Sequence, residues 1–299
     1  MNLFASADPR PVHFVGIGGA GMSALALLAR RRGVIVSGCD TDPSGAADLV
    51  AHGVPIQTGH DPRHVEGARA IVVTAAVPPT HPELAAAHAL GIPVVPRKQA
   101  LGQLCAGRDT VAVSGTHGKT TTTVMTTEAL AEAGFDPTGL AGGRVGAWGG
   151  NARVGADRLF VVEADEYDQA FLALQPTVAI VNNVEADHLE CYGSVEQLED
   201  AFVEFASRAE VAIVGADDAG ARRIASRLAN RVVLFGTSEH ATVRLEHVSQ
   251  QADRTTARVR VGRHDVELAL RVPGLHNLRN ALAALLACDA VGADLGAAC

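Results

Sequence analysis

Short apolar runs alternate along this chain with longer Ala- and Leu-rich stretches. Residues 12–15, 34–37, 70–74 and 93–95 carry the continuous hydrophobicity of strands buried on both faces, and segments near 20–32, 45–52, 82–89 and 98–106 read as helices. Such alternation predicts a parallel sheet with helices on both sides, spanning residues 1–107. Ala106-Gly107-Arg108-Asp109 reads as a short hinge. A second series follows over 108–299, with strands expected at 110–113, 158–163, 177–182, 210–214 and 231–235 and helices near 119–133, 195–206 and 218–228. Two β-rich segments, 242–248 and 255–271, the second interrupted at 262–264, precede a last helix over about 276–290. Residues 291–299 end without a clear element.

At 299 residues the chain exceeds the usual size of one core, which supports two domains. Hydrophobic residues at 47% and charged residues at 19% are globular proportions rather than those of a disordered chain. Trp148 is the only tryptophan and aromatics total 4%, so Ala, Val and Leu must build the cores. A net charge of −8 provides no broad basic surface and argues against a nucleic-acid partner. The cysteines at 39, 105, 191, 288 and 299 form no C-x-x-C pair, which fits reduced thiols in a cytoplasmic protein and gives no zinc signature. The first ten residues lack the positive start of a signal peptide. Residues 12–29 are nearly uncharged and precede Arg30-Arg31-Arg32, but glycines at 16, 18, 19 and 21 favour strand-turn-helix over a membrane span.

Those glycines belong to Gly16-Ile17-Gly18-Gly19-Ala20-Gly21, a G-x-G-x-x-G pattern after a strand and before a helix. Glycine there lets backbone N–H groups approach a diphosphate at a helix N-terminus. Asp40 closes the next strand, where an acid commonly meets a ribose hydroxyl. The pattern fits NAD, FAD or a UDP-sugar equally, and a Gly-rich turn that only packs helix on strand remains the simpler alternative.

The second glycine loop is more specific. Val111-Ala112-Val113-Ser114 leads into Gly115-Thr116-His117-Gly118-Lys119-Thr120-Thr121-Thr122. Loop amides would wrap phosphate oxygens, Lys119 would reach the β/γ region and the Thr120 hydroxyl would meet Mg²⁺. Val113 stands where the longer P-loop pattern has its first glycine, so a shorter subclass is implied. Only two lysines, Lys98 and Lys119, occur in the whole chain, while 23 of its 25 cationic residues are arginine. Lysine kept in this loop points to a need for a compact ammonium. Together the two loops predict an α/β protein: an N-terminal Rossmann-like parallel-sheet domain followed by a P-loop ATPase-type central α/β domain.

A P-loop also needs an acid at a neighbouring strand tip. Glu163 follows the apolar run 159–162 directly and is the best candidate, whereas Asp165, Glu166 and Asp168 could equally sit in a solvated loop. After 177–181 come Asn182-Asn183-Val184-Glu185-Ala186-Asp187-His188, where His188 could serve a second Mg²⁺ or be a plain surface histidine.

Taken in order, residues 16–23, the loop 115–122, Glu163-Ala164-Asp165-Glu166, Glu185-Ala186-Asp187-His188 and Pro273-Gly274-Leu275-His276-Asn277-Leu278-Arg279-Asn280-Ala281 resemble the Mur ligases over essentially the whole chain. The first and fourth motifs most resemble the branch that adds L-alanine to UDP-N-acetylmuramate in peptidoglycan synthesis. That resemblance implies ATP and two Mg²⁺ ions, with UDP-N-acetylmuramate and L-alanine as the other substrates. It implies ATP contacts at Gly115, Thr116, His117, Gly118, Lys119, Thr120, Thr121, His276, Asn277 and Asn280. Metal contacts are implied at Thr120, Glu163 and His188, and catalytic roles at Lys119, Glu163 and His188. Gly16, Gly18, Gly19, Ala20, Gly21, Met22, Ser23 and Asp40 would then hold the UDP-sugar rather than NAD. Carboxylate activation through an acyl phosphate, without a protein nucleophile, is the implied chemistry.

Position 203 is valine, where later-acting branches of the family carry a modified lysine, and no lysine follows Lys119. Ala186 stands where the murein tripeptide-recycling branch tends to have phenylalanine. Thr74-Ala75-Ala76 departs from the usual Ser-Ser-Ala. A third, C-terminal domain of the family is expected to lie beyond residue 299, so this chain is expected to bind nucleotides but ligate poorly, as a monomer or weak homodimer. The alternatives are a murein tripeptide-recycling ligase, a truncated nucleotide-binding module without ligase chemistry and, more weakly, an NAD-dependent dehydrogenase.

Overall fold

A computed structural model describes residues 2–296 and 298 as two compact units. The first runs to Ala106 and also takes Leu140–Val154; the second comprises Gly107–Gly139 and the chain from Gly155 onward. The division after Ala106 lies within Ala106-Gly107-Arg108-Asp109. However, the segment 140–154 sits with the first unit, although it is read from the sequence as part of 108–299.

The first unit contains β1 (Val12–Val15), α1 (Ala20–Arg31), β2 (Val36–Asp40), α2 (Ala47–Ala51), β3 (Ile56–Thr58), β4 (Ala70–Val73), α3 (Pro82–Ala89), β5 (Val94–Pro96) and α4 (Arg97–Cys105). Its five strands are all parallel, in the order β3-β2-β1-β4-β5. Every residue of β1 and β4 is buried, as the Val/Ile-rich composition of a doubly covered sheet demands. Because β1 lies between β2 and β4, the chain leaves it in opposite directions, and the glycine loop 16–21 occupies this switch point at the strands' carboxyl ends. Helix α1 buries every residue from Met22 to Ala29 and ends on Arg30 and Arg31, whose charge suits a helix C-terminus. Strand β2 begins at Val36 rather than residue 34, and β3 was not foreseen, because three residues are too few to show a period.

In the second unit lie β6 (Asp109–Ser114), α5 (Lys119–Glu132), β9 (Leu159–Glu163), β10 (Val178–Val181), α6 (Leu189–Tyr192), α7 (Val195–Ser207), β11 (Val211–Gly215), α8 (Ala219–Ala225), β12 (Arg231–Gly236) and β13 (Val243–Arg244). Between α5 and β9 the chain forms β7 (Thr138–Val145) and β8 (Gly150–Arg153), neither anticipated from the Gly-rich sequence there. Six strands run parallel in the order β13-β12-β11-β10-β6-β9. A separate antiparallel sheet joins β14 (Glu246–Gln250), β15 (Thr255–Val261) and β16 (His264–Leu270). In β15, Thr255, Ala257, Val259 and Val261 point inward while Arg258 and Arg260 are exposed, the two-residue period of a sheet wet on one side. Helix α9 (Leu275–Ala290) then buries Leu278, Leu282, Leu285 and Leu286 in one core with Val111, Val113, Ile180 and Ile213.

Among the described residues no helix is long and apolar enough to cross a membrane. Among the described residues no disulfide joins Cys39, Cys105, Cys191 and Cys288; Cys299 lies outside them.

Candidate functional site

Parallel register decides what surrounds the second glycine loop. Val113 of β6 pairs with Glu163 of β9, and Ser114 pairs with Val181 of β10. The loop at 115–118 therefore leaves β6 between the tip of β9, which carries Glu163, and the tip of β10, which carries Asn182 and Asn183. Gly115 and Gly118 have φ of +130° and +82°, values that favour glycine. A Cβ on Gly118 would lie 2.7 Å from Asn280 Oδ1, so α9 packs directly against the loop.

The two asparagines clamp the loop. Thr116 N donates to the Asn183 carbonyl (3.2 Å) and His117 N to Asn183 Oδ1 (2.7 Å), while Asn183 Nδ2 donates to the His117 carbonyl (3.2 Å). Asn182 Nδ2 donates to the His117 carbonyl (3.3 Å) and to Thr122 Oγ1 (3.1 Å). Glu185 N donates to Thr116 Oγ1 at 2.9 Å. Among the described residues no side chain caps α5, so its first-turn amides face the loop as an anion site would require. Further along α5, Thr126 and Thr127 donate to the carbonyls of Thr122 and Thr123, which accounts for buried threonines in a helix.

Lys119 donates from Nζ to the Gly115 carbonyl (2.8 Å) and to both Glu166 oxygens (2.7 and 2.9 Å). Glu166 is only 2% exposed. It is therefore not part of a solvated loop, the alternative the sequence left open, but the buried counter-charge of the loop lysine. Its segment turns inward because Asp168 and Gln169 adopt left-handed backbone angles and Phe171 stacks on Phe205 and meets Phe202 edge-on. The Tyr192 hydroxyl donates to the Glu166 carbonyl, and burial is the largest influence raising the Tyr192 pKa, so that hydroxyl stays protonated.

Glu163, half-buried, ends β9 beside the loop, and Thr120 lies in the first turn of α5. His188 has φ +52°, stands edge-on to Tyr167 at 5.2 Å, and lies 3.8 Å from Asp187 and 3.5 Å from Glu190. The oxygens of Thr120 and Glu163 are the donors magnesium prefers, and Ser114 Oγ and Asn182 Oδ1 are buried without a hydrogen-bond partner among the described residues. The set fits a hydrated Mg²⁺.

A cleft of about 290 Å³ is lined by Asn182, Asp217, Phe235, His276, Arg279 and Asn280, among others. His276, Arg279 and Asn280 share one face of α9 at the i, i+3, i+4 spacing. Asn277 does not line the cleft; its Nδ2 donates to the Pro273 carbonyl (2.8 Å) and closes the first turn of the helix. Asp217 accepts from Thr237 N, Thr237 Oγ1 and Ser238 N and pairs with Arg279 at 2.6 Å. Burial opposes the Asp217 charge, but these donors and Arg279 outweigh it and hold its carboxyl below the usual range. Asn182, Asn183, Glu166, Asp217 and Arg279 were missed as site residues. The available signals were the two amides directly after a buried strand and the position of Arg279 three residues beyond His276.

In the first unit, Asp40 Oδ2 accepts from Gly18 N at 2.8 Å and Oδ1 from Asp42 N at 2.9 Å, so the acid braces the glycine loop. A Cβ on Gly18 would lie 2.6 Å from the Asp42 carbonyl. Gly16, Gly19, Ala20 and Gly21 complete the turn. Met22 and Ser23 are buried beneath it, and Ser23 Oγ donates to the Ala20 carbonyl (3.1 Å) and accepts from Asn151 Nδ2 (3.2 Å). The guanidinium of Arg97 lies over Gly21, within 2.5 Å of where a Cβ would stand. It is a cation beside the turn that sequence reading did not single out, and a diphosphate there would meet it.

Residues 11–109 match the Mur ligase family catalytic domain and residues 113–288 the Mur ligase middle domain. A UDP-N-acetylmuramate–L-alanine ligase of Bordetella pertussis is 44% identical over 295 residues, covering 95% of this chain and 63% of the relative. Among solved structures, the UDP-N-acetylmuramate-alanine ligase of Thermotoga maritima superposes with a TM-score of 0.85 at 33% identity, covering 97% of this chain and 67% of that one. A UDP-N-acetylmuramate:L-alanyl-gamma-D-glutamyl-meso-diaminopimelate ligase from Neisseria meningitides gives 0.86 at 27% identity, covering 97% and 96%. The chain thus spans a little over three fifths of the length of the curated relative.

Proposed function

We propose that this chain, which belongs to the Mur ligase family, is the nucleotide-handling part of an enzyme that joins L-alanine to UDP-N-acetylmuramate at the expense of ATP. The observation that carries the reading is the loop lysine held between Gly115 and the buried Glu166, at a P-loop flanked in register by Glu163 and Asn182. The first glycine loop with Arg97 would hold the UDP part. Residues 115–121 would hold the ATP phosphates, with His276, Arg279 and Asn280 toward the base.

In this reading Lys119 exchanges Glu166 for the triphosphate, and its ammonium offsets charge as the sugar's lactyl carboxylate attacks the γ-phosphorus. The γ-phosphoryl group moves to that carboxylate and ADP leaves. The amine of L-alanine then attacks the acyl carbon, phosphate departs, and the amide forms once the amine proton is lost. Thr120 and Glu163 would hold one Mg²⁺ and His188 would serve a second; magnesium supplies neutralisation of phosphate charge. The protein's own share is positioning and preorganised charge, for which loss of one donor typically costs ~10²–10³ in rate.

The tripeptide-recycling activity is the second reading, since the two solved relatives superpose almost equally well. Ala186 and the 44% identity to an alanine-adding relative favour the first. Calorimetric titration with ATP–Mg²⁺ and with UDP-N-acetylmuramate tests the proposal. Both should bind, and Lys119→Ala should lose ATP while keeping the UDP-sugar. Binding of NAD(H) in place of the UDP-sugar, or unchanged ATP affinity in Lys119→Ala, would overturn it. Phosphate release with L-alanine compared with free tripeptide separates the two activities.

A further inference from the structure

The first unit gathers six metal-ligating side chains on the α3 face of its sheet, beside the glycine loop, whose Gly16 and Ile17 amides donate to the Cys39 carbonyl. Glu83, in the first turn of α3, and His13 of β1 are both 0% exposed, as is Cys39 of β2. Around Glu83 stand His60, His64 and His81. His13, Cys39 and Glu83 offer ligand atoms all within 4.8 Å of one another, and so do His60, His81 and Glu83.

Four of the six edges among His13, Cys39, His60 and Glu83 have the spacing of a coordination shell. Cys39 Sγ lies 3.1 Å from the Glu83 oxygens, 3.4 Å from His13 Nε2 and 3.4 Å from His60 Nδ1, and His60 Nδ1 lies 3.5 Å from Glu83 Oε2. Tetrahedral zinc with Zn–S near 2.3 Å and Zn–N and Zn–O near 2.0 Å has ligand-to-ligand edges of about 3.3–3.6 Å. A thiol has one proton, yet a carboxylate and two imidazole nitrogens all converge on this sulfur. Hydrogen bonding alone leaves N–H groups facing a weak acceptor.

The surroundings orient these groups as they would around an ion. His13 Nδ1 is fixed by Ser37 Oγ at 2.9 Å, which leaves Nε2 toward the sulfur. Glu83 Oε1 is held by His64 Nδ1 at 2.9 Å and by Asp61 N at 3.1 Å, which leaves Oε2 for His60 and Cys39.

We propose that His13, Cys39, His60 and Glu83 form a structural site for a borderline-soft divalent cation, zinc by its chemistry, pinning β1, β2, the turn after β3 and α3 together. One thiolate and one carboxylate neutralise a dication, so the buried site carries no net charge. Binding replaces the Cys39 S–H bond with a metal–sulfur bond and releases that proton to solvent. C-x-x-C spacing could not reveal the site, because its four members come from four separate elements.

Chelator-treated chain without nucleotide, titrated with Co²⁺, tests this. One equivalent should bind with thiolate-to-cobalt charge-transfer absorption in the near ultraviolet, displaced by Zn²⁺, and Zn²⁺ should raise the thermal midpoint. Cys39→Ser should abolish the absorption, whereas Cys191→Ser, at the half-exposed cysteine, should keep it. His64→Gln, which removes the imidazole that bonds the ligating carboxylate and accepts from Asp61 N, should weaken binding by about 10–100-fold. Should Cys39→Ser fail to fold, His60→Gln at the partly exposed edge carries the same test. Absence of thiolate absorption at saturating Co²⁺, or equal affinity in the parent, Cys39→Ser and His60→Gln, overturns the site.

Discussion

Glu166→Gln isolates the charge of the lysine clamp while keeping its size. Lys119 Nζ lies 2.7 and 2.9 Å from the two carboxylate oxygens, with the lysine side chain 15% and the glutamate 2% exposed. Removing one partner of a buried pair typically costs about 3–5 kcal/mol, because the other charge is left uncompensated. The glutamine amide oxygen still accepts one hydrogen bond, and the Gly115 carbonyl keeps another at 2.8 Å, so the loss belongs at the low end. At ~3 kcal/mol, and about 2–4 °C per kcal/mol for a domain of 150–250 residues, the midpoint falls by roughly 6–12 °C. Melting followed by circular dichroism, with and without ATP–Mg²⁺, reads this directly. The triphosphate supplies the anion that glutamine lacks, so nucleotide should raise the midpoint more in the variant than in the parent. In Lys119→Met/Glu166→Gln no charge is stranded, and the double variant should lose less than the two single losses added together. A variant melting within a degree of the parent, or strictly additive losses, would refute the clamp.

Asn183→Ala removes two side-chain bonds to His117 and should raise the ATP Kd roughly tenfold, about 1.4 kcal/mol, with UDP-sugar binding unchanged by calorimetry. Gly118→Ala places a side chain at φ +82°, which costs about 1–2 kcal/mol, and sets its Cβ 2.7 Å from Asn280 Oδ1; ATP binding should be lost in the same titration. Asp217, whose carboxyl is held below its ordinary value, contributes stability that is full above the unfolded pKa near ~3.9 and is lost as pH falls through the lower folded value. Asp217→Asn should therefore lose stability less steeply as pH falls below ~4 in acid-melting profiles.

The parallel sheets were legible because strands covered on both faces must be almost wholly apolar, as 12–15, 70–73 and 178–181 are. The final helix was legible from its leucine spacing. What escaped reading lacked such a signature. Strand β3 has three residues, two of them exposed, and β7 draws three of its eight residues from glycine. Nor does local pattern say that Leu140–Val154 joins the first unit. That depends on Asn151 reaching Ser23 and Ala20 more than 120 residues away, and long-range partners leave no periodicity.

The site divides along the same line. Its phosphate loop is local: glycines where backbone must turn or approach closely, one of only two lysines in the chain, and an acid at an adjoining strand tip. Its charge balance is not. Glu163, Asp165, Glu166 and Asp168 follow one another within six positions, and nothing in their order selects Glu166 as the one that turns inward. Two left-handed residues at 168–169, a phenylalanine stacked under α7 and a tyrosine hydroxyl on the Glu166 carbonyl make that choice. Each belongs to the fold rather than to the motif. A carboxylate that neutralises the loop lysine before nucleotide arrives keeps the ammonium desolvated and in place, so the phosphate tail need only replace one anion by another.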